Sequence, residues 1–348
     1  MIRAGLIGYG LAGASFHAPL IRATRGLELE AIVTSNAERQ REARSAHPSA
    51  ALFDSAAQLW DHAAQLDLVV VASPNRTHVP LALEALEAGL DVVVDKPLAP
   101  TSSEGRRLVQ EARHRERLLT VFHNRRWDGD FLTLRALLAE GALGEPYRFE
   151  SRFDRWRPTP KPGWRELGAP EEAGGLLYDL GSHLIDQALV LFGPVSHVYA
   201  ELDRRRPGVE VDDDAFVALT HASGTRSHLF MSVLAAQPGP RFRMMGSRSA
   251  YVKHGLDVQE AALRGGGSPD EAHWGEEPPE AGGTLGAAGE LRRVATVPGA
   301  YRRFYEGVVA AIDDGAPPPV DPADAVAGLE IIEAARRSGA ERRLVALA

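Results

Sequence analysis

The sequence predicts an α/β protein in two parts. Residues 1–121 form a Rossmann domain on a doubly wound parallel sheet. Residues 122–348 form an α/β (α+β) domain on a large, mostly antiparallel open sheet. Three observations predict this. Apolar runs of strand length alternate with helix-like segments through the first third, the grammar of a parallel sheet. A glycine-rich turn joins the first strand to the first helix. After Trp127 the periodicity changes to two residues, the mark of strands with one buried face.

In order, Ile2–Ile7 reads as a strand and 12–23 as a helix. Strands follow at 27–34 and 51–53. Leu68-Val69-Val70-Val71 is continuously apolar, as in a strand covered on both faces. A helix over 77–88 closes on Gly89, in the left-handed cap position. Val92-Val93-Val94 is the next buried strand. Thr101-x-x-Glu104 is a capping box that opens a helix to about Arg117. Leu119–Phe122 completes six strands. In the second part a helix runs to Glu140. Tyr147, Phe149, Ser151 and Phe153 then alternate with charged residues, and similar strands lie near 195–202, 214–222, 225–234 and 241–246. Residues 265–290, rich in Gly, Pro and Glu, read as a long surface loop. Asp321-Pro322 is an N-cap with proline at the first helical position, opening a last helix to about Arg337.

Composition narrows the function. The 348 residues are 44% hydrophobic and 25% charged, with a net charge of -8 and no extended basic stripe to neutralise phosphates, so nucleic acid is not the expected partner. No apolar run approaches the roughly 18 residues of a membrane span. The absence of cysteine excludes disulfides, zinc–thiolate sites and thiol catalysis. With no leader-like segment at the N-terminus, the cytoplasm is the expected location.

The chemistry concentrates in a few segments. Gly8-Tyr9-Gly10-Leu11-Ala12-Gly13 is G-x-G-x-x-G between a strand and a helix, where glycines let the backbone approach a pyrophosphate and the helix N-terminus offers it free N–H groups. At the end of the second strand an acidic residue would hold an NAD ribose. Thr34, Ser35 and Asn36 stand there instead, followed by Arg39, which favours NADP, with NAD possible. Ser73-Pro74-Asn75 leaves the fourth strand at its carboxyl end, where ligands bind in open α/β sheets. His78, one turn on, contacts the cofactor or simply sits at the helix start. Asp95-Lys96-Pro97 follows the fifth strand. An ammonium there stabilises a developing alkoxide or closes a structural ion pair. In Gly174–Asp186, read as a helix, Asp179 and His183 share a face four residues apart, as an acid/base unit or as a cap with packing residues. The segment shows too few ligands for a metal, and none is expected.

Together these motifs resemble the Gfo/Idh/MocA oxidoreductases across essentially the whole chain. The matching residues are Gly8-x-Gly10-x-x-Gly13, Asp95-Lys96-Pro97 and Gly175-x-x-x-Asp179-x-Gly181-x-His183-x-x-Asp186. The stretches 122–133, 163–166 and 178–183 look like the NADP-dependent scyllo-inositol dehydrogenase branch. The resemblance implies hydride transfer between NADP(H) and a hydroxyl or ketone of a small polyol or sugar. It implies catalytic roles for Lys96, Asp179 and His183, a cis Lys96–Pro97 peptide, and a homodimer or homotetramer formed through the exposed sheet face. Asn124, Arg126, Trp164 and Arg165 are candidates for lining the polyol or nicotinamide pocket. The family usually has Glu where Asp95 stands, which shortens that carboxylate by one methylene. It also includes dinucleotide-binding regulators without turnover, the alternative reading.

Overall fold

The computed structural model describes residues 1–160 and 163–347. The chain forms two compact units. The first comprises Met1–Asn124, Gln259–Trp274 and Ala300–Val326, and the second Arg125–Val258, Gly275–Gly299 and Ala327–Ala348. The linear division at 121/122 does not capture this interleaving, in which two later segments return to the first unit.

The first unit is built on β1 (Ile2–Ile7), β2 (Leu27–Val33), β3 (Ala51–Phe53), β4 (Leu68–Val71), β5 (Asp91–Asp95) and β6 (Leu119–Phe122), with α1 (Ala18–Ala23), α2 (Ala37–Ala46), α3 (Ala56–Trp60), α4 (His78–Glu87) and α5 (Ser102–His114) between them. All strand pairs are parallel, in the order β3-β2-β1-β4-β5-β6. Every residue of β4 and Val92, Val93 and Val94 of β5 are inaccessible to solvent. Burying each such valine contributes about 1.5–3 kcal/mol, which makes these strands the anchor of the unit. The order reverses between β1 and β4. Loops leaving neighbouring strands there diverge and leave a crevice at the carboxyl ends. Thr101 caps α5, its hydroxyl accepting from the Glu104 N–H.

The second unit contains α6 (Gly129–Ala139), α7 (Ser182–Phe192) and nine strands: β7 (Pro146–Asp154), β8 (Val195–Asp203), β9 (Asp214–His221), β10 (Arg226–Ser232), β11 (Phe242–Gly246), β12 (Ala250–Lys253), β13 (Gly283–Ala287), β14 (Glu290–Val294) and β15 (Val345–Ala346). Their order is β14-β13-β12-β11-β7-β10-β9-β8-β15, antiparallel except for the parallel pair β7–β10. Alternate residues are buried, as in β9, where Ala215, Val217 and Leu219 face the core. Helix α7 packs on β7 and β10.

Three helices complete the chain: α8 (Gln259–Arg264), α9 (Arg302–Asp313) and α10 (Pro322–Glu341). The first two were not expected, and α10 runs four residues past Arg337. The surface loop expected over 265–290 is corrected at its end. The β13–β14 hairpin begins inside it and extends the sheet. Gly283 and Gly286 hid this strand by depriving it of a side-chain pattern. Gly283 leaves room for the Tyr251 ring, and Gly286 has φ of +148°. Among the described residues no helix is long and apolar enough to cross a membrane.

Candidate active site

In the first unit the glycine turn is shaped by contact. Gly8 has φ of +100°, and a Cβ there would strike the Ala72 carbonyl oxygen, while a Cβ on Gly13 would strike the Gly8 carbonyl. The helix that follows opens with a π turn, Gly13–His17, before α1. Leu11 is half exposed. Tyr9 turns its ring into the core, edge-on to His47 at 5.9 Å, and burial raises its phenol pKa. Its contribution to an anion site is therefore its backbone. The Cβ position of Gly10 is open and lies 3.7 Å from Nη1 of Arg39. Arg39 is exposed and its guanidinium has no ion-pair partner among the described residues. Asn36 caps α2, its side-chain oxygen accepting from the Glu38 and Arg39 N–H groups at 3.1 and 3.0 Å. Thr34 is buried and Ser35 exposed. No carboxylate stands at 34–36.

The loops after β4 and β5 are tied by side chains. Thr77 donates its hydroxyl proton to the Pro74 carbonyl at 2.6 Å, so the Ser73 hydroxyl is the donor in its 2.6 Å bond to Thr77. Asn75 is buried. His78 is 1% exposed, with Nδ1 2.8 Å from the Pro97 carbonyl oxygen and Nε2 3.0 Å from that of Ser73. Burial lowers its pKa, against the pull of Asp95 and both carbonyls. The Lys96–Pro97 peptide is cis. The shorter Asp95 carboxylate accepts from the Lys96 backbone N–H at 2.8 Å. Beneath them His17, fully buried, shares a 2.7 Å hydrogen bond with the Tyr305 hydroxyl. Burial pushes His17 down to about 4, opposed by Asp95, and holds the Tyr305 hydroxyl well above its ordinary value.

In the second unit the histidine motif is held differently. The continuous α-helix expected through Asp179 and His183 is corrected: Leu177–Gly181 is a π turn, followed by α7. Its hydrogen bonds span five residues, so a four-residue spacing is not one turn there. Asp212 accepts from the Leu177 N–H at 2.7 Å, and Gly175, with φ of +94°, lacks the Cβ that would strike that carboxylate. Asp179 lies 3.4 Å from Nε of Arg165, whose guanidinium stacks 4.2 Å from the Trp164 ring centre. The structure thus brings Trp164, Arg165 and Asp179 together. His183 is 7% exposed, on the first turn of α7, with its ring near-perpendicular to Phe153 at 6.3 Å. Arg126 grips Asp186 with two bonds of 2.9 and 2.6 Å. Gln187 donates to the Arg125 carbonyl at 2.9 Å and accepts from Arg241 at 2.9 Å. Arg241 in turn lies 3.5 Å from Asp130, whose carboxyl is raised to about 6 by burial. Asn124, at the end of the first unit, is buried.

Sequence reasoning missed His17, Tyr305, Asp212, Gln187 and Arg241. Only Asp212 left a signal, in the run Asp212-Asp213-Asp214 that leads into β9. The others act through contacts between residues far apart in the chain. Among the described residues no group of three or more His, Asp or Glu side chains could hold a metal ion.

A glycine turn at the switch point of a parallel sheet is the architecture of a dinucleotide-binding domain. Residues 2–123 match the oxidoreductase family with an NAD-binding Rossmann fold, and residues 131–252 match the GFO/IDH/MocA C-terminal domain. The chain belongs to the Gfo/Idh/MocA family. It is 42% identical to the uncharacterized oxidoreductase YdgJ of Escherichia coli, covering 100% of this chain and 99% of that one. It is 35% identical to the scyllo-inositol 2-dehydrogenase (NADP(+)) IolW of Bacillus subtilis, covering 99% and 96%. The fold superposes with a TM-score of 0.92 on the oxidoreductase yvaA of Bacillus subtilis, at 33% identity and full coverage of both chains.

Proposed function

We propose that this chain oxidises a secondary hydroxyl of a cyclic polyol or sugar, scyllo-inositol being the first candidate, with NADP as cofactor, or reduces the matching ketone. The observation that carries the reading is the presence of Lys96, Asp179 and His183 alongside the glycine turn. A dinucleotide sensor needs the turn and none of the three. The IolW relative adds the substrate class and the cofactor, and Arg39 over Gly10 supports NADP.

The backbone of Gly8–Gly13 would hold the pyrophosphate, and Arg39 with Ser35 the ribose phosphate. Ser73, Pro74, Asn75 and Asp95 shape the loops beside it. When bound, the dinucleotide takes the carbinol hydride or returns it. His183 accepts the hydroxyl proton as general base. The Lys96 ammonium stabilises the alkoxide and, in reverse, polarises the ketone. Asp179 orients a substrate hydroxyl, and Asn124, Arg126, Trp164 and Arg165 line the polyol. The outer face of the nine-stranded sheet carries Phe216 and Phe230, tilted against each other with ring centres 5.0 Å apart, and Arg152 over Phe230 at 4.0 Å. We assign this face to contact between copies of the chain.

The test is NADP+ reduction across a panel of inositols and aldoses. Turnover with a cyclic polyol is expected. Tight dinucleotide binding without turnover on any member would instead make the chain a sensor.

A further inference from the structure

We infer that His78 is a positioning residue, whose buried imidazole couples the Ser73–Asn75 loop after β4 to the Lys96–Pro97 segment after β5. This deepens the proposed function, on which the importance of Lys96 rests. His78 is the first residue of α4, so its backbone is fixed by the helix, and its ring is 1% exposed. Each ring nitrogen addresses a different loop: Nδ1 the Pro97 carbonyl at 2.8 Å, Nε2 the Ser73 carbonyl at 3.0 Å. Both partners are acceptors, and a neutral imidazole has one N–H to give. Burial lowers the ring's pKa, so a second proton is costly. The tautomer therefore decides which loop is held by a donated hydrogen bond and which faces a lone pair. A shift of the Ser73 loop on dinucleotide binding changes that balance and is felt one residue from Lys96. A side chain serving only as filler would have no reason to place a nitrogen on each loop.

Two substitutions separate the contacts. Asn places an amide nitrogen near the Nδ1 position and Gln near Nε2. His78→Asn keeps the Pro97 bond and should weaken NADP+ binding about five- to tenfold, the effect of losing one buried hydrogen bond. His78→Gln keeps the Ser73 bond and should instead change the acetylation rate of the Lys96 amine by about fivefold. That rate is read by peptide mass spectrometry. Lys96 is one of three lysines in the chain, and buried Lys253, 2.9 Å from Glu277, is the internal reference. In the wild-type chain, NADP+ should slow amide exchange in peptides covering both 73–78 and 95–98. This reading remains available should the variants fail to fold. Variants that lower only the melting temperature and shift neither readout would overturn the coupling, as would protection confined to 73–78. Wild-type turnover in Lys96→Ala would remove the lysine's catalytic role while leaving these readouts intact, so the two failures are distinguishable.

Discussion

The lysine and the histidine are placed by different means. Lys96 follows a parallel strand buried on both faces, and the loop that carries it is pinned by polar contacts from Asp95 and His78. His183 heads a helix whose approach is a π turn, and its surroundings are held by guanidinium groups: Arg126 on Asp186, and Arg241 on Gln187 and over the Phe153 ring at 4.3 Å. In the first unit the sheet fixes the position and side chains refine it. In the second, long-range ion pairs do both. A strand-end position is robust to loss of one contact, whereas a helix face defined by an ion-pair network depends on each member.

The largest effect sharpens this contrast. His183→Ala should lower kcat by roughly 10²–10⁴, the range for loss of a general base, with NADP+ affinity little changed, as steady-state kinetics with a cofactor titration would show. A near wild-type kcat would place the proton acceptor elsewhere. Lys96→Ala should lower kcat by about 10²–10³, on the scale of one preformed oxyanion donor. Arg39→Ala tests the first unit's anion site. It should lower kcat/KM for NADP+ by about 10- to 100-fold, the effect of one charge-assisted contact, and leave NAD+ nearly unaffected. Equal loss with both would show that Arg39 does not read the extra phosphate.

The buried cores of the two units also titrate with opposite signs. His17 is lowered from 6.5 to about 4, so its folded-state pKa lies below its unfolded one. The neutral ring's contribution is complete above pH 6.5 and is lost as pH falls towards 4. The shift corresponds to about 3 kcal/mol. His17→Gln should flatten that acid-side loss in denaturant titrations. Asp130 is raised from 3.8 to about 6, so the folded state binds the extra proton and stability falls as pH rises between those values. Relative to wild type, Asp130→Asn should gain stability as pH rises through that window. A pH-independent difference in either variant would break the assignment.

What the sequence made legible follows the same division. The six parallel strands, the glycine turn and Lys96 at a strand end are local patterns, and all appear where they were read. The histidine segment departs from the expected helix because a π turn leaves no composition signal and Asp212, which caps it, is some 35 residues away. The β13–β14 hairpin escaped because Gly283 and Gly286 answer to the packing of Tyr251 and to backbone geometry, not to alternation. His17 and Tyr305 are 288 residues apart, so their pairing exists only after folding.

The central claim is that this chain moves a hydride from a carbinol carbon to a dinucleotide. Incubation with NADP+ and scyllo-inositol deuterated at its ring carbons tests it directly. The account predicts deuterium in the reduced dinucleotide, at wild-type yield in the native chain and strongly reduced yield in His183→Ala. NADP+ bound at the glycine turn with no label transferred from this or any polyol in the panel would contradict it.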